Sequence, residues 1–217
     1  MKKFSNVVSL GFSCYVAKDL ERMGYRQSSY PFDWVISSFP DVVRLIENGF
    51  EENLKLENME QDAVHGNCYH DRGTGLDYYH DFFPDAGTIQ QQHDDVLSKY
   101  TRRILRFFRT GKSPTLYVRL IRNQDDFRWT ATHAQEIEQV IQKLNPASEV
   151  VYIVLEDAEF SEENHNLAVY LAKDLYHPIK TSNGLAALIR HSVAISSWRV
   201  WVNRMRYLKK QIVRKLR

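Results

Sequence analysis

The sequence has few of the features that mark membrane-spanning, secreted or disordered proteins. It contains no run of 18 apolar residues, and its first apolar stretch, at 7–10, is short and continuous with a predicted strand. Of the 217 residues, 43% are hydrophobic, which is enough to bury the core of one domain. We therefore expect a soluble, unsecreted protein of the cytoplasm.

Cysteine is scarce. Cys14 and Cys68 are the only two cysteines in the chain. Two cysteines are too few to indicate a disulfide framework in a chain of this size. We therefore expect a reducing compartment, in which both thiols are free.

Recognisable cofactor and metal motifs are also missing. The glycines of Gly73–Gly75 follow no predicted strand, so no phosphate-binding loop is predicted there. The stretch His65–His70 contains two histidines and a cysteine, but it lacks the paired spacing of a zinc site and a fourth ligand. We predict no metal and no required cofactor.

The charge is distributed unevenly along the chain. Eight of the 29 Lys and Arg residues lie in 198–217, which has no acidic residue, so the rest of the chain carries 21 basic and 27 acidic side chains. The apolar residues of this tail recur every three or four positions, as in an amphipathic helix. They are Trp198, Val202, Met205, Leu208, Ile212 and Leu216.

Two interpretations of this tail remain open. A helix with only cations beside its apolar face is typical of in-plane binding to an anionic membrane, here the inner face of the cell membrane. The same helix also suits docking on an acidic surface of its own or a partner chain. Nucleic-acid binding is disfavoured, because the basic residues are confined to this one helix.

The hydrophobic pattern predicts the fold class. Continuous apolar runs at 7–10, 114–121 and 149–156 are typical of buried parallel strands, and helical patterns at 88–110 and 132–144 separate them. This alternation predicts a three-layer α/β domain, Rossmann-like or SGNH-like, with a parallel sheet flanked by helices.

The remaining boundaries follow from the same pattern. A further helix is predicted at 166–176 and a short last strand at 177–180. We place a single domain at residues 1–195 and the basic amphipathic helix at 196–217.

Cys14 lies where the first strand gives way to a helix, three residues after Gly11. A thiol at the first turn of a helix faces the positive end of the helix dipole, which favours the thiolate. The backbone amides around Phe12 to Tyr15 are predicted to form an oxyanion hole, and Gly11 and Ser13 are predicted to bind substrate. From the spacing alone, both a nucleophile and a buried filler remain open for Cys14.

Two segments carry a resemblance to a known family. The stretch SLGFSCYVAKDLERMGYRQSSYPFDW at 9–34, and YYHDF at 78–82 followed by a helix and the strand LYVR, are similar to a bacterial family described as papain-like cysteine peptidases. The resemblance implies that Cys14 is the nucleophile and adds a papain-like α+β fold as an alternative. Family members often have Asn before the cysteine, where this chain has Ser13. The resemblance also implies a role in surface-polysaccharide biosynthesis, since such domains are commonly encoded among genes of that pathway.

The resemblance and the loop-rich setting together select His80 as the general base. His80 lies in the HDF motif, and Asp77 and Asp81 flank it. Adjacent residues rarely orient a neighbouring imidazole, so Asp33 of PFDW is an equal candidate for the orienting carboxylate. The alternative is that these residues only stabilise loops. Arg119, at the end of LYVR, is predicted either to anchor a substrate carboxylate or phosphate or to be a surface charge.

These observations predict a cysteine-dependent acyl-transfer enzyme, either a hydrolase or an acyltransferase. The expected substrate is a small molecule or a saccharide of surface-polysaccharide biosynthesis, with a coenzyme A thioester as a possible acyl donor. The alternative is a non-catalytic, membrane-associated scaffold protein of the same pathway.

Overall fold

A computed structural model describes residues 3–156 and 167–215. Sixteen helices and strands were identified in these residues, with short 3₁₀ turns at Pro31–Asp33, Leu56–Asn58 and Pro84–Ala86. In chain order they are β1 (Asn6–Ser9), α1 (Tyr15–Met23), β2 (Val35–Ser37), α2 (Phe39–Asn48), β3 (Met59–Gln61), β4 (Tyr69–Asp71), β5 (Leu76–Tyr78), α3 (Ile89–Gly111), β6 (Thr115–Leu120), α4 (Gln124–Thr132), α5 (Ala134–Leu144), β7 (Glu149–Leu155), β8 (Val169–Ala172), α6 (Pro178–Thr181), α7 (Leu185–Ser192) and α8 (Ser197–Lys215).

The main sheet is parallel and has the strand order β1-β6-β7-β8. Alternate side chains enter two separate cores. Val7 and Val118 pack with α1, α6 and α7 on one face, whereas Val8 and Tyr117 pack with α2, α3, α4 and α5 on the other. The sheet is therefore covered on both sides, and the predicted three-layer α/β architecture is confirmed.

A second, antiparallel sheet has the order β2-β5-β4-β3. Its strands have three residues each and come from the stretch 35–78, where the sequence has many loops. This small sheet places Trp34, just before β2, beside His80, two residues after β5.

The stretch after β7 differs from its prediction. Val169–Ala172 forms the edge strand β8 rather than a helix, because it pairs in parallel with β7 and buries Ala172. The tertiary contact overrides the helical pattern. The predicted last strand instead begins the helix α6, where Pro178 takes the first position, which favours helix initiation.

The C-terminal helix α8 packs against α1. Gly24 ends α1 with a positive φ of 82°, and a Cβ atom there would overlap the Val200 carbonyl. Asn203 Nδ2 donates to the Gly24 carbonyl at 3.1 Å, and Arg22 Nε donates to the Tyr207 hydroxyl at 3.2 Å. The helix therefore docks on its own chain through one edge, on which Val200 adds an apolar contact with the core.

None of the helices in the described ranges is long and apolar enough to cross a bilayer.

Candidate active site

The turn between β1 and α1 has a strained backbone. Gly11 and Phe12 have positive φ angles of 80° and 73°. A side chain as bulky as Phe rarely adopts this region, which costs about 1–3 kcal/mol. The Ser37 amide holds the turn by donating to the Phe12 carbonyl at 3.1 Å.

Gly11 shapes this turn. A Cβ atom there would lie 2.9 Å from the Phe32 carbonyl oxygen and 3.0 Å from Ser37 Oγ, so the turn has room only for glycine. The Gly11 amide donates to Ser9 Oγ at 3.1 Å. Its amide therefore has an acceptor within the turn, and the substrate contact of Gly11 stays a prediction.

Cys14 occupies the N-cap position of α1 and is half-buried. Its side chain makes no capping hydrogen bond, and the first amides of a helix have no intrahelical acceptor. Ser13 is only 9% exposed, and its buried hydroxyl has no hydrogen-bond partner among the described residues. A thiol, helix amides and an unpartnered hydroxyl thus lie together at the carboxyl end of β1.

The second cysteine lies in a different environment. Cys68 is buried, and burial together with the nearby carboxylates of Asp77 and Asp62 raises the pKa of its thiol to about 11. Both thiols are free. Since the thiolate is the reactive form, Cys68 is chemically inert near neutral pH.

His80 follows β5 and is accessible to solvent. Its ring lies perpendicular to the Trp34 ring, with 6.3 Å between centroids. Partial desolvation, and then the positive charge of Lys18, lower the pKa of His80, while Asp81 opposes the shift. The imidazole is therefore neutral near pH 7, as a general base must be.

Lys18 links this histidine to the cysteine. It lies one helical turn after Cys14, and its amide donates to the Cys14 carbonyl at 2.9 Å. Residues four apart share a helix face. The Lys18 ammonium lies 6.0 Å from the centre of the Trp34 ring, which packs against the His80 ring. In the described structure no hydrogen bond joins Cys14 to His80, and such catalytic contacts often form only when substrate is bound.

The carboxylates predicted to orient His80 have other partners. Asp33 Oδ2 accepts from Arg26 Nη2 at 2.7 Å and from the Tyr30 amide at 2.9 Å. Burial raises the pKa of Asp33, and the Arg26 charge opposes that shift. This buried ion pair fixes the PFDW turn, so the structure corrects the orienting role predicted for Asp33.

Asp81 is also bound elsewhere. Its two oxygens accept from the Tyr100 hydroxyl at 2.8 Å and from Lys99 Nζ at 2.6 Å. Asp77 contacts the His70 ring at 2.7 Å. Asp81 therefore acts on His80 through its charge rather than through a hydrogen bond.

Arg119 is fully buried and contacts no open site. Its guanidinium donates to the Leu10 carbonyl at 3.0 Å, to the Ser37 carbonyl at 2.7 Å and to Asp126 Oδ2 at 2.9 Å. Desolvation lowers its pKa to about 10. Both predicted alternatives, a substrate anchor and a surface charge, are therefore wrong, and Arg119 instead supports the turn that carries Cys14.

The described residues contain no group of three or more His, Cys, Asp and Glu side chains that could hold a metal ion. The ring of His65 contacts Asp62 at 3.2 Å. The ring of His70, as above, contacts Asp77.

Sequence reasoning missed Lys18 and Trp34 as members of this site. Lys18 has a recognisable signal, because its spacing of four from Cys14 places both on one helix face. Trp34 belongs to the PFDW motif, in which only the aspartate was predicted to have a role in the site.

Comparisons with known proteins identify the family of the chain. A family model described as "Putative papain-like cysteine peptidase (DUF1796)" matches residues 5–157. A curated relative, "Uncharacterized protein R408" of Acanthamoeba polyphaga mimivirus, is 28% identical over 161 residues, covering 63% of this chain and 69% of the relative. No solved structure matches the chain. Similarity to this chain therefore extends to a viral protein.

Proposed function

The chain belongs to the family described as "Putative papain-like cysteine peptidase (DUF1796)", and from this premise we propose that it is a cysteine-dependent hydrolase or acyltransferase with Cys14 as its nucleophile. One observation carries the proposal. The strained turn after β1 presents Cys14 at the start of α1, beside the unpartnered Ser13 hydroxyl.

The residues suit acyl transfer through a thioester. His80 takes the thiol proton, and the Cys14 thiolate attacks a carbonyl carbon to form a tetrahedral oxyanion. The amides at the start of α1 and the Ser13 hydroxyl donate to this oxyanion. The intermediate then expels the leaving group, which receives the proton from His80, and the thioester remains on Cys14.

The second half of the reaction sets the enzyme class. Water attacks the thioester in a hydrolase, whereas a substrate hydroxyl attacks it in an acyltransferase, and His80 removes the proton in both. We propose a saccharide or another small molecule as substrate. The link to surface-polysaccharide biosynthesis and a coenzyme A thioester as acyl donor rest on the family resemblance.

Alkylation tests the nucleophile. Iodoacetamide at pH 7 should modify Cys14 much faster than free cysteine and should leave Cys68 unmodified, as read by peptide mass spectrometry. Cys68→Ser is the matched control and should keep the fast reaction, whereas Cys14→Ser should lose it. Equal, slow modification of both thiols would contradict a nucleophilic Cys14.

A second function is favoured by the outer face of α8. This apolar stripe is exposed and consists of Trp198, Trp201, Met205, Leu208 and Ile212. The opposite edge of the helix docks on α1 through Asn203 and Tyr207. We propose that the stripe binds an anionic membrane surface, because an exposed apolar stripe on a helix without acidic residues suits such a surface. Membrane association is compatible with catalysis, but it also suits a scaffold protein.

A further inference from the structure

A cavity of about 600 Å³ lies between α1 and α8 and extends to His80. Its wall contains five cationic side chains and a single acidic one, Glu21. The cations are Lys18, Arg22, Arg26, Lys210 and Arg214. Such a concentration of positive charge in a concave site attracts anions.

Three of these cations are already paired. Arg26 holds Asp33, Lys210 Nζ contacts Glu21 at 2.9 Å, and Arg22 contacts Asp19. Lys18 and Arg214, by contrast, form no ion pair with any residue that the structure describes. These two side chains are therefore free to bind a ligand.

Lys18 lies both in the cavity wall and near the proposed catalytic residues. It lies on the helix face of Cys14, and its charge acts on His80, which lines the same cavity. The Trp34 ring adds an apolar surface to the wall and carries the Arg26 guanidinium 5.1 Å from its centre. A ligand in the cavity thus lies next to the proposed base.

We propose that this cavity binds a phosphate group of the substrate. A phosphate monoester carries a charge of about −1.5 to −2 at pH 7 and three strong acceptor oxygens, so it matches several cations better than one carboxylate does. The role of this phosphate in bringing an acyl group to Cys14 rests on the proposed function, whereas phosphate binding itself does not.

Calorimetric titration of the full chain with glycerol 3-phosphate at low salt tests the proposal. Lys18→Met and Arg214→Met should each weaken binding about tenfold or more, since each removes a charged hydrogen-bond donor without breaking an ion pair. Lys209→Met removes the same charge from α8 outside the cavity and should change the affinity less than twofold. Equal losses in all three variants, or acetate binding as tightly as the phosphate, would overturn the proposal.

Two further measurements separate this proposal from the proposed function. Cys14→Ser should bind glycerol 3-phosphate as the wild type does, and the ligand should protect wild-type Cys14 from iodoacetamide. Phosphate binding with an unreactive Cys14 supports the phosphate site and contradicts the nucleophile. A reactive Cys14 in a protein that does not bind phosphate supports the nucleophile and contradicts the phosphate site.

The phosphate can belong to a soluble metabolite or to a lipid headgroup. A short-chain diacyl form of glycerol 3-phosphate distinguishes these sources. Tighter binding of the diacyl form supports a lipid phosphate, and equal binding supports a soluble one.

Discussion

Arg119 donates a hydrogen bond of 3.0 Å to the carbonyl oxygen of Leu10, the last residue before the turn that presents Cys14. The same guanidinium binds the carbonyl and hydroxyl oxygens of Ser37, whose amide holds the Phe12 carbonyl. One buried cation thus ties β6 to both sides of the strained turn. The position of the proposed nucleophile therefore depends on a residue that does not contact substrate.

Arg119→Lys should destabilise the fold. A lysine supplies one ammonium in place of the planar guanidinium, so it cannot hold Leu10, Ser37 and Asp126 together. Each hydrogen bond that the buried guanidinium loses costs about 1.5–3 kcal/mol, because these bonds involve a charged group. Urea denaturation should show a clear loss in the free energy of unfolding, whereas Arg122→Lys, at an exposed position on the same segment, should have almost no effect.

Asp33→Asn should also lower the free energy of unfolding. The substitution leaves the Arg26 guanidinium without its buried carboxylate, and the expected loss is about 3–5 kcal/mol. Glu52→Gln is the matched control, because it breaks the exposed Glu52–Lys55 pair, which contributes at most about 1 kcal/mol. A stably folded Asp33→Asn variant that loses only turnover would restore Asp33 as a catalytic residue.

The central strands could be predicted from the sequence, because their burial requires continuous runs of apolar residues. The strands β6 and β7 lie between two helical layers, so both their faces are apolar and their runs are continuous. The edge strand β8 was missed because its short apolar stretch also fits helical spacing, and only its pairing with β7 selects the strand.

The candidate site could be predicted only in part. Cys14 is recognisable because its local setting, a strand followed by a glycine and a helix, is contiguous in sequence. The partners of Asp33 and Arg119 depend on which charges are buried together, and no spacing reveals this. The cavity depends on α8 returning to α1, nearly 180 residues away, as in the Asn203–Gly24 contact.

Lys18→Met should raise the pKa of His80. The ammonium group disfavours the protonated imidazole, so its removal moves the pKa upward, toward the usual value of 6.5. Asp81→Asn removes an opposing charge and should move the pKa downward. Histidine NMR titrations measure both shifts, and shifts of the same sign in the two variants would contradict this electrostatic account.

His80→Ala should slow the alkylation of Cys14 at neutral pH. Without a base to take the thiol proton, less thiolate is present, and we expect the rate to fall about tenfold or more. At high pH hydroxide removes the proton, so the variant and wild type should react alike. His70→Ala is the control, because His70 pairs with Asp77 away from the site. If the alkylation rate of Cys14 depended on pH in the same way in His80→Ala and in the wild type, His80 would not be the base for Cys14.

Substitutions on the outer face of α8 should abolish membrane binding without disturbing the fold. Trp198 and Trp201 stack on each other at 5.0 Å and are 70% and 52% exposed, so replacing both with Ser removes no core contact. The wild type should sediment with vesicles that contain phosphatidylserine and should dissociate at high salt, because screening weakens attraction to the anionic surface. The double variant should stay in the supernatant with an unchanged melting temperature.

Deleting residues 196–217 is a poorer test, since it also removes the contact with Gly24 and one wall of the cavity. If the wild type did not bind anionic vesicles but formed dimers through the tryptophans, the stripe would bind a second copy of the chain instead of a membrane.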